Sequence, residues 1–255
     1  MKPKHLGVIL LLLAFSLTAA AQYRKGDEYD PYDKSFFLTA RGGIFLAEDI
    51  YNFRRDTVIL NRSAWFESSM TAPSNFSYGG GFGIFFTDNL GIRFDLDAFS
   101  TDFKTDFTFG IQNPLNPSQN LTASTTVTGI TSNWTLLSAD IIFRQKVGSS
   151  FVFMIGAGIT YFMTDIYVPE NFQYQIIGFI PSIVGVDFDV YEGDTYSFNI
   201  LGTIEFFLDD DVAITAEARY SHAEKDIEVP SYISSSPINA NIGGLIVTAG
   251  FMMHF

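Results

Sequence analysis

"TDNLGIRFDLDAF", residues 87–99, decides the fold. From Leu90 onward Leu90, Ile92, Phe94, Leu96 and Ala98 alternate with Arg93, Asp95 and Asp97. Successive strand side chains point to opposite faces, so one face here is wholly apolar and the other carries charge of both signs. A single half-buried strand would also alternate. The rest of the chain must say whether the pattern recurs and how it is connected.

It recurs. Residues 35–47, 75–87, 90–103, 133–146, 150–164, 197–208, 211–222 and 242–255 all alternate with period two and are rich in β-formers. Each has the length of a tilted membrane strand, about 9–11 residues. In 36–46, Phe36, Leu38, Ala40, Ile44 and Leu46 oppose Arg41. In 137–144, Leu137, Ala139, Ile141 and Phe143 oppose Asp140 and Arg144. In 198–208, Phe198, Ile200, Ile204, Phe206 and Leu208 oppose Glu205. In 212–220, Val212, Ile214, Ala216, Ala218 and Tyr220 oppose Glu217 and Arg219. Every one of these charges lies off the apolar stripe. An Arg or Lys on the lipid face costs about 2–4 kcal/mol at the bilayer midplane. Arg41, Arg93, Asp95, Asp97, Asp140, Arg144, Glu205, Glu217 and Arg219 are therefore expected inside, as a lumen charge network.

A water-soluble barrel would reverse the sense, apolar in and charge out, and parity alone does not separate the two. The connections do. "TDN" (87–89), "VGSS" (147–150) and "DDD" (209–211) are short, whereas 48–74, 104–132, 165–196 and 223–241 are long. Short turns on one side and long loops on the other mark a transmembrane barrel.

The chain's two ends fit. "MKPKHLGVILLLLAFSLTAAAQ" has a lysine-bearing start, an apolar run over 6–17 and small residues at 19–21. It predicts a signal peptide, residues 1–21, cleaved after Ala21. The alternative, an uncleaved helical anchor, has a short apolar run for a span. A polar lead, 22–34, then precedes a barrel over 35–255. At the far end "VTAGFMMHF" (247–255) alternates to its last residue, with Phe251, Met253 and Phe255 on the apolar stripe. This reads as the strand that closes the barrel on the first, with no downstream domain.

Composition narrows the function classes. The absence of cysteine excludes a disulfide framework, a thiolate metal site and a lipid-anchor cysteine. With 28 Asp and Glu against 15 Lys and Arg, nucleic acid is not an expected partner. After residue 21 no apolar run is long enough for a membrane helix; the longest, 176–186, is interrupted by Pro181.

"GGGFGIFFTDNLGIRFDLDAF" (79–99), "FMIGAGITYFMTD" (153–165), "FFLDDDVAITAEARYS" (206–221) and the final Phe255 together resemble the small outer-membrane β-barrel family that includes the OmpA transmembrane domain and OmpX-like and OmpW-like porin-family proteins. "FFTDNLGIRFDLDAF" (85–99) and "FFLDDDVAITAEARY" (206–220) also form a weak internal repeat. The resemblance implies an all-β, eight-stranded antiparallel up-and-down transmembrane barrel, with outer-membrane lipid as its environment. It also implies a C-terminal assembly signal, Phe251, Met253 and Phe255, read by the barrel assembly machinery. That family is functionally mixed, so activity does not carry over.

What remains is lumen and loops. An eight-stranded barrel is just wide enough for side chains to fill. Buried charges persist when paired, so the interior is expected to be a salt-bridge plug, or else a gate that opens by exchanging partners. Counted from the short turns, Arg93, Arg144 and Glu205 would form one layer and Asp97, Asp140 and Arg219 another. Glycines such as 79–81 and 243–244 leave room on crowded inward faces. Phe151, Tyr161, Trp134, Tyr220 and Phe255 would form aromatic girdles. Residues 104–132 are expected to extend two strands above the membrane. The apolar segment 172–190 reads as a protruding hairpin. It could alternatively be a patch for an extracellular partner or hydrophobic ligand, or an added strand pair around Pro181 making ten strands.

Catalysis is not expected. "RYSHAEK" (219–225) is reminiscent of lipid A deacylase barrels, but Glu224 stands where their serine would, and Ser221 lies on the opposite face from His222. "DDD" (209–211) reads as a solvated turn rather than a cation site. No cofactor or metal is implied. The leading function is a structural, surface-interaction barrel with a charge-plugged lumen; the alternative is a passive channel for small or hydrophobic solutes.

Overall fold

The computed structural model describes residues 34–147, 151–177, 180–229, 234 and 236–255. The expected signal peptide (1–21), the lead up to residue 33 and most of the turn at 147–150 lie outside them. Fourteen strands run along the described chain: β1 (Phe36–Ala47), β2 (Asp49–Ile59), β3 (Arg62–Thr71), β4 (Asn75–Phe85), β5 (Leu90–Gln112), β6 (Asn120–Val147), β7 (Phe151–Met163), β8 (Asp165–Ile177), β9 (Ile180–Glu192), β10 (Thr195–Phe207), β11 (Val212–His222), β12 (Glu224–Ile227), β13 (Ile238–Asn241) and β14 (Gly244–His254). Among the described residues no helix is long and apolar enough to cross a membrane; the crossing is made by strands.

Eight strands close a ring. β1 pairs with β14, which pairs with β11, then β10, β7, β6, β5 and β4, and β4 returns to β1, every pair antiparallel. These are the eight strands that alternation predicts. Their short connections are locally capped. The Asp209 carboxylate accepts from the backbone N–H of Asp211 and Val212 (2.9 and 2.8 Å), and the Thr87 hydroxyl accepts from the Leu90 N–H at 3.0 Å.

The two faces of the ring differ as parity requires. Ile44, Phe94, Ile141, Phe153, Phe198, Ile200, Phe206, Ile214, Val247 and Phe251 are exposed on the outside, Phe198 by 83%. The nine expected interior charges are all buried, at 0–7% exposure. An apolar belt facing out around a charged core is stable only in lipid. The chain is a membrane-spanning barrel.

Beyond the ring the structure departs from the loop reading. β5 and β6 stay paired from Leu90↔Phe143 to Gln112↔Asn120, so more than half of each exceeds the ~9–11 residues a bilayer uses. A bulge opposite Phe103/Lys104 leaves Gly129 without a cross-strand partner at φ +84°, a backbone glycine adopts without Cβ strain. Residues 48–74 are not an irregular loop: β2 and β3 form a hairpin whose β3 pairs with the upper part of β5. Strands outside lipid need no apolar face, so the charges of "NFRRD" (52–56) hid this hairpin from a stripe-based reading. The segment 172–190 is indeed a hairpin, β8–β9, in its own two-stranded sheet, and β12–β13 is another. The added pair in the main sheet is therefore β2–β3, above the ring, and the ring keeps eight strands.

The β2–β3 turn holds Leu60 and Asn61 at φ +52° and +59°. Asn tolerates this region; a leucine pays about 1–2 kcal/mol. Leu60→Gly is expected to stabilise the hairpin by about 1 kcal/mol, read as slower amide hydrogen exchange across β2 and β3.

Candidate functional site

The candidate site is the lumen, and glycine makes room for it. Across the ring, Gly250, Arg41, Gly79 and Asp97 are register neighbours on β14, β1, β4 and β5. A Cβ at Gly79 would fall on the Asp97 carboxylate, and one at Gly81 on the Asp95 carboxylate. The glycine run of β4 is thus the space into which the acids of β5 fold.

Seven of the nine charges meet in one cluster. Arg41 donates from Nη1 to Asp95 Oδ1 (2.6 Å), from Nη2 to Asp97 Oδ2 (2.6 Å) and from Nε to Asp97 Oδ1 (3.1 Å). Arg93 reaches Glu217 Oε2 at 2.6 Å and Asp95 Oδ2 at 2.8 Å. Arg219 donates to Asp95 and lies 3.3 Å from Asp140 and 3.6 Å from Asp97 and Glu217. Asp95 thus binds all three arginines. Three guanidinium and four carboxyl groups neutralise each other nearly completely, which is what a low-dielectric interior demands. The Thr203 hydroxyl extends the network, donating to Glu217 at 3.2 Å. Asp140 faces Arg93 across β5–β6, yet neither of its oxygens makes an aligned side-chain hydrogen bond; it contributes charge.

Two of the nine lie elsewhere, and the layers counted from the turns do not hold. Arg144 sits at the short-turn rim, its Nε donating to the Asp88 carbonyl (2.7 Å) and its Nη2 to the Lys34 carbonyl (3.2 Å), with its guanidinium 3.7 Å over the Phe85 ring. Glu205 pairs with His254, Oε2 to Nε2 3.2 Å, both about 1% exposed. The imidazole lies between Phe37 and Phe207. Phe37, Phe85, Ile142, Met154 and Met252 make an apolar layer there. Residue count along a strand does not give the reach of a side chain across a sheared barrel.

Above the cluster lies an aromatic layer that the sequence reading does not anticipate. Phe45, Phe99, Trp134, Leu136, Phe162 and Ile246 are buried inside and continue into Ile50, Met70 and Phe103 of the extension. Phe45 stacks on Phe99 at 4.2 Å, and Trp134 packs against both. Trp134, expected in a girdle, is 1% exposed. It shares the parity of Asp140, six residues on, and this signal could have placed it. Phe151 and Tyr220 do face outward, as do Phe251 and Met253. Phe255 contacts Phe36 at 5.9 Å.

His222 is outward, as its parity implies, 3.5 Å from Glu224 and 3.9 Å from Glu48; Ser221 is buried on the other face. Among the described residues no group of three or more His, Asp or Glu could hold a metal ion.

The eight-stranded antiparallel ring with its apolar outer belt is that of a membrane-spanning β-barrel. Among solved structures, the outer-membrane protein OprG of Pseudomonas aeruginosa is 12% identical, with 87% of this chain and 97% of that one covered and a TM-score of 0.49. The Neisserial surface protein NspA is 14% identical (90% and 100% covered, TM-score 0.42). The outer-membrane protein AlkL is 10% identical (91% and 94% covered, TM-score 0.44). At such identities and TM-scores the likeness carries no argument about what this chain does. No family model matches the chain, and no curated protein does.

Removing one partner of a buried ion pair costs about 3–5 kcal/mol. Asp95→Ala, which strips a partner from three arginines, is expected to lose at least that in equilibrium unfolding in micelles. Lys104→Ala, which breaks the exposed pair with Asp106 (2.9 Å), is expected to lose under about 1 kcal/mol. Equal losses would mean that the cluster is no stronger than a surface pair.

Proposed function

We propose that this chain is a resident outer-membrane barrel whose lumen is closed by charge, and that it acts through its extension as a structural and surface-interaction protein. The observation that carries the reading is the seven-residue charge cluster, buried across the width of the lumen. The aromatic layer above it and the apolar layer below it support the same closure. In this orientation the short turns and Phe255 face the periplasm and the extension faces outward. A signal peptide over 1–21, a periplasmic lead over 22–34 and a barrel over 35–255 complete the assignment. Phe251, Met253 and Phe255 are the groups we assign to recognition by the assembly machinery.

The extension supports the interaction role. Among the described residues the upper part of β6 forms a strand ladder with β5 alone, its other side approached by β8 and β9 without a ladder, and 120–131, "NLTASTTVTGIT", carries no charge to blunt that edge. Open edges of this kind accept an incoming strand. We read the chain as non-enzymatic: the outward histidine sits between two carboxylates rather than beside a nucleophile.

The test is single-channel conductance of refolded barrels in planar bilayers. Wild type is expected to be silent, and Arg219→Ala and Glu217→Ala to conduct. Stable openings in wild type would overturn the plug and establish the alternative, a passive channel for small or hydrophobic solutes.

A further inference from the structure

The extension ends in an apolar crown. Its hairpins β2–β3, β5–β6 and β8–β9 turn at the same end. Ala64, Phe109 and Ile111 are buried there, and Ile59, Leu121, Ile176 and Ile183 pack against them, so that all three hairpins meet. Beyond this small core the turns present Val58, Leu60, Leu115, Ile177, Ile180 and Val184, each 60–82% exposed. Exposed apolar residues scattered singly are ordinary; gathered at one end they mark a contact with a protein or a membrane.

Charge favours the membrane. Residues 57–66, 107–125, 172–177 and 180–186 hold a single charged residue, Arg62. The β8–β9 ladder runs from Asp165↔Glu192 at its base to Ile177↔Ile180 at its tip, and Asp187 and Asp189 lie in its lower half. The acids thus stop below an almost uncharged end. A protein contact is rimmed by polar and charged groups. Entry among acyl chains requires their absence, because each charge carried into lipid is costly.

The turns also meet their own hydrogen bonds. The Asn113 N–H donates to the Gln119 carbonyl and the Gln119 N–H to the Asn116 carbonyl, both at 2.9 Å. Asn113 Oδ1 accepts from the Leu115 N–H (2.9 Å), Asn116 Oδ1 accepts from the Ser118 hydroxyl (2.6 Å), and Gln112 Nε2 donates to the Pro117 carbonyl (3.0 Å). A turn satisfied in this way loses little when water is withdrawn. In the β2–β3 turn Leu60 is held at φ +52°, where glycine would sit more easily. Such strain is characteristic of functional positions.

The barrel's own membrane is out of reach of the crown. β5 has 23 residues, of which the bilayer takes about 9–11. The remainder spans roughly 40 Å at ~3.3 Å per residue. A neighbouring copy in the same membrane would meet the sides of the extension and not its end.

We propose that the crown inserts into a second lipid bilayer, one of zwitterionic headgroups, facing the bilayer that the barrel spans. An anionic surface would be repelled by the acids below the crown. The proposal rests on the reading that the extension faces outward and is the interacting part; it does not depend on a closed lumen.

The experiment uses the full barrel in nanodiscs, mixed with protein-free phosphatidylcholine vesicles whose acyl chains are brominated. The barrel is expected to float with the vesicles. In a Leu115→Trp variant the introduced indole should be quenched by the bromines well beyond the wild type, whose Trp65 and Trp134 lie below the turns. Combined Leu60→Asp, Leu115→Asp and Ile180→Asp should lower vesicle binding at least tenfold and leave thermal unfolding of the barrel unchanged, since all three side chains are exposed. Vesicles containing half phosphatidylglycerol should bind more weakly at low salt. Absence of flotation, binding undiminished in the triple variant, stronger binding to the anionic vesicles, or binding only to vesicles that themselves carry the barrel overturns the proposal, the last in favour of end-to-end contact between copies. Cleavage of the extension by protease added to intact cells tests its outward orientation separately.

Discussion

Asp95 is the residue on which the barrel depends. One carboxylate, without solvent, is shared by Arg41, Arg93 and Arg219. The arrangement follows from lipid. A chain that can place no charge on its lipid face turns its strand charges inward, and an eight-stranded ring has no water-filled width in which to leave them unpaired. Three guanidinium groups from β1, β5 and β11 converge because each must find a carboxylate. Glycine on β4 makes that convergence sterically open. The cluster ties strands far apart in sequence to one another, Arg219 to Asp95 across 124 residues.

The ring was legible because lipid enforces a rule with a period of two. Any violation is costly, so Leu90–Ala98 and its counterparts alternate without error, and the eight predicted strands agree with those observed to within a few residues wherever they lie in lipid. The inward set of nine charges was legible for the same reason. Outside the membrane the rule lapses. β2 carries Arg54, Arg55 and Asp56 in a row, which in a membrane strand would be prohibitive and in a water-exposed hairpin is ordinary. Loop and strand there look alike to a reading that asks only for an apolar stripe.

Partnering inside the lumen was less legible than membership. Arg144, Arg93 and Glu205 lie at similar distances from their turns, yet one binds backbone carbonyls at the rim, one joins the central cluster and one pairs with His254. Strand tilt decides which inward residues share a height, and tilt is a property of the closed ring rather than of any one strand. The aromatic layer was hidden differently. Phe45, Phe99 and Trp134 sit on the inward parity, but near strand ends, where an aromatic is ordinarily assigned to the interface. Parity was the better guide.

β5 and β6 run without interruption from the short-turn rim to the far end of the extension, hydrogen-bonded throughout except at Gly129. Mechanically this makes the extension a mast and not a tether. Its far end cannot wander over the membrane surface as a flexible loop would; it stands at a set height and bearing. A force applied there bends the same two strands that carry Asp95, Asp97 and Asp140, so load on the extension reaches the arginines inside as shear between β5 and β6. Gly129, at the one break in the ladder, is the natural point of compliance between the two.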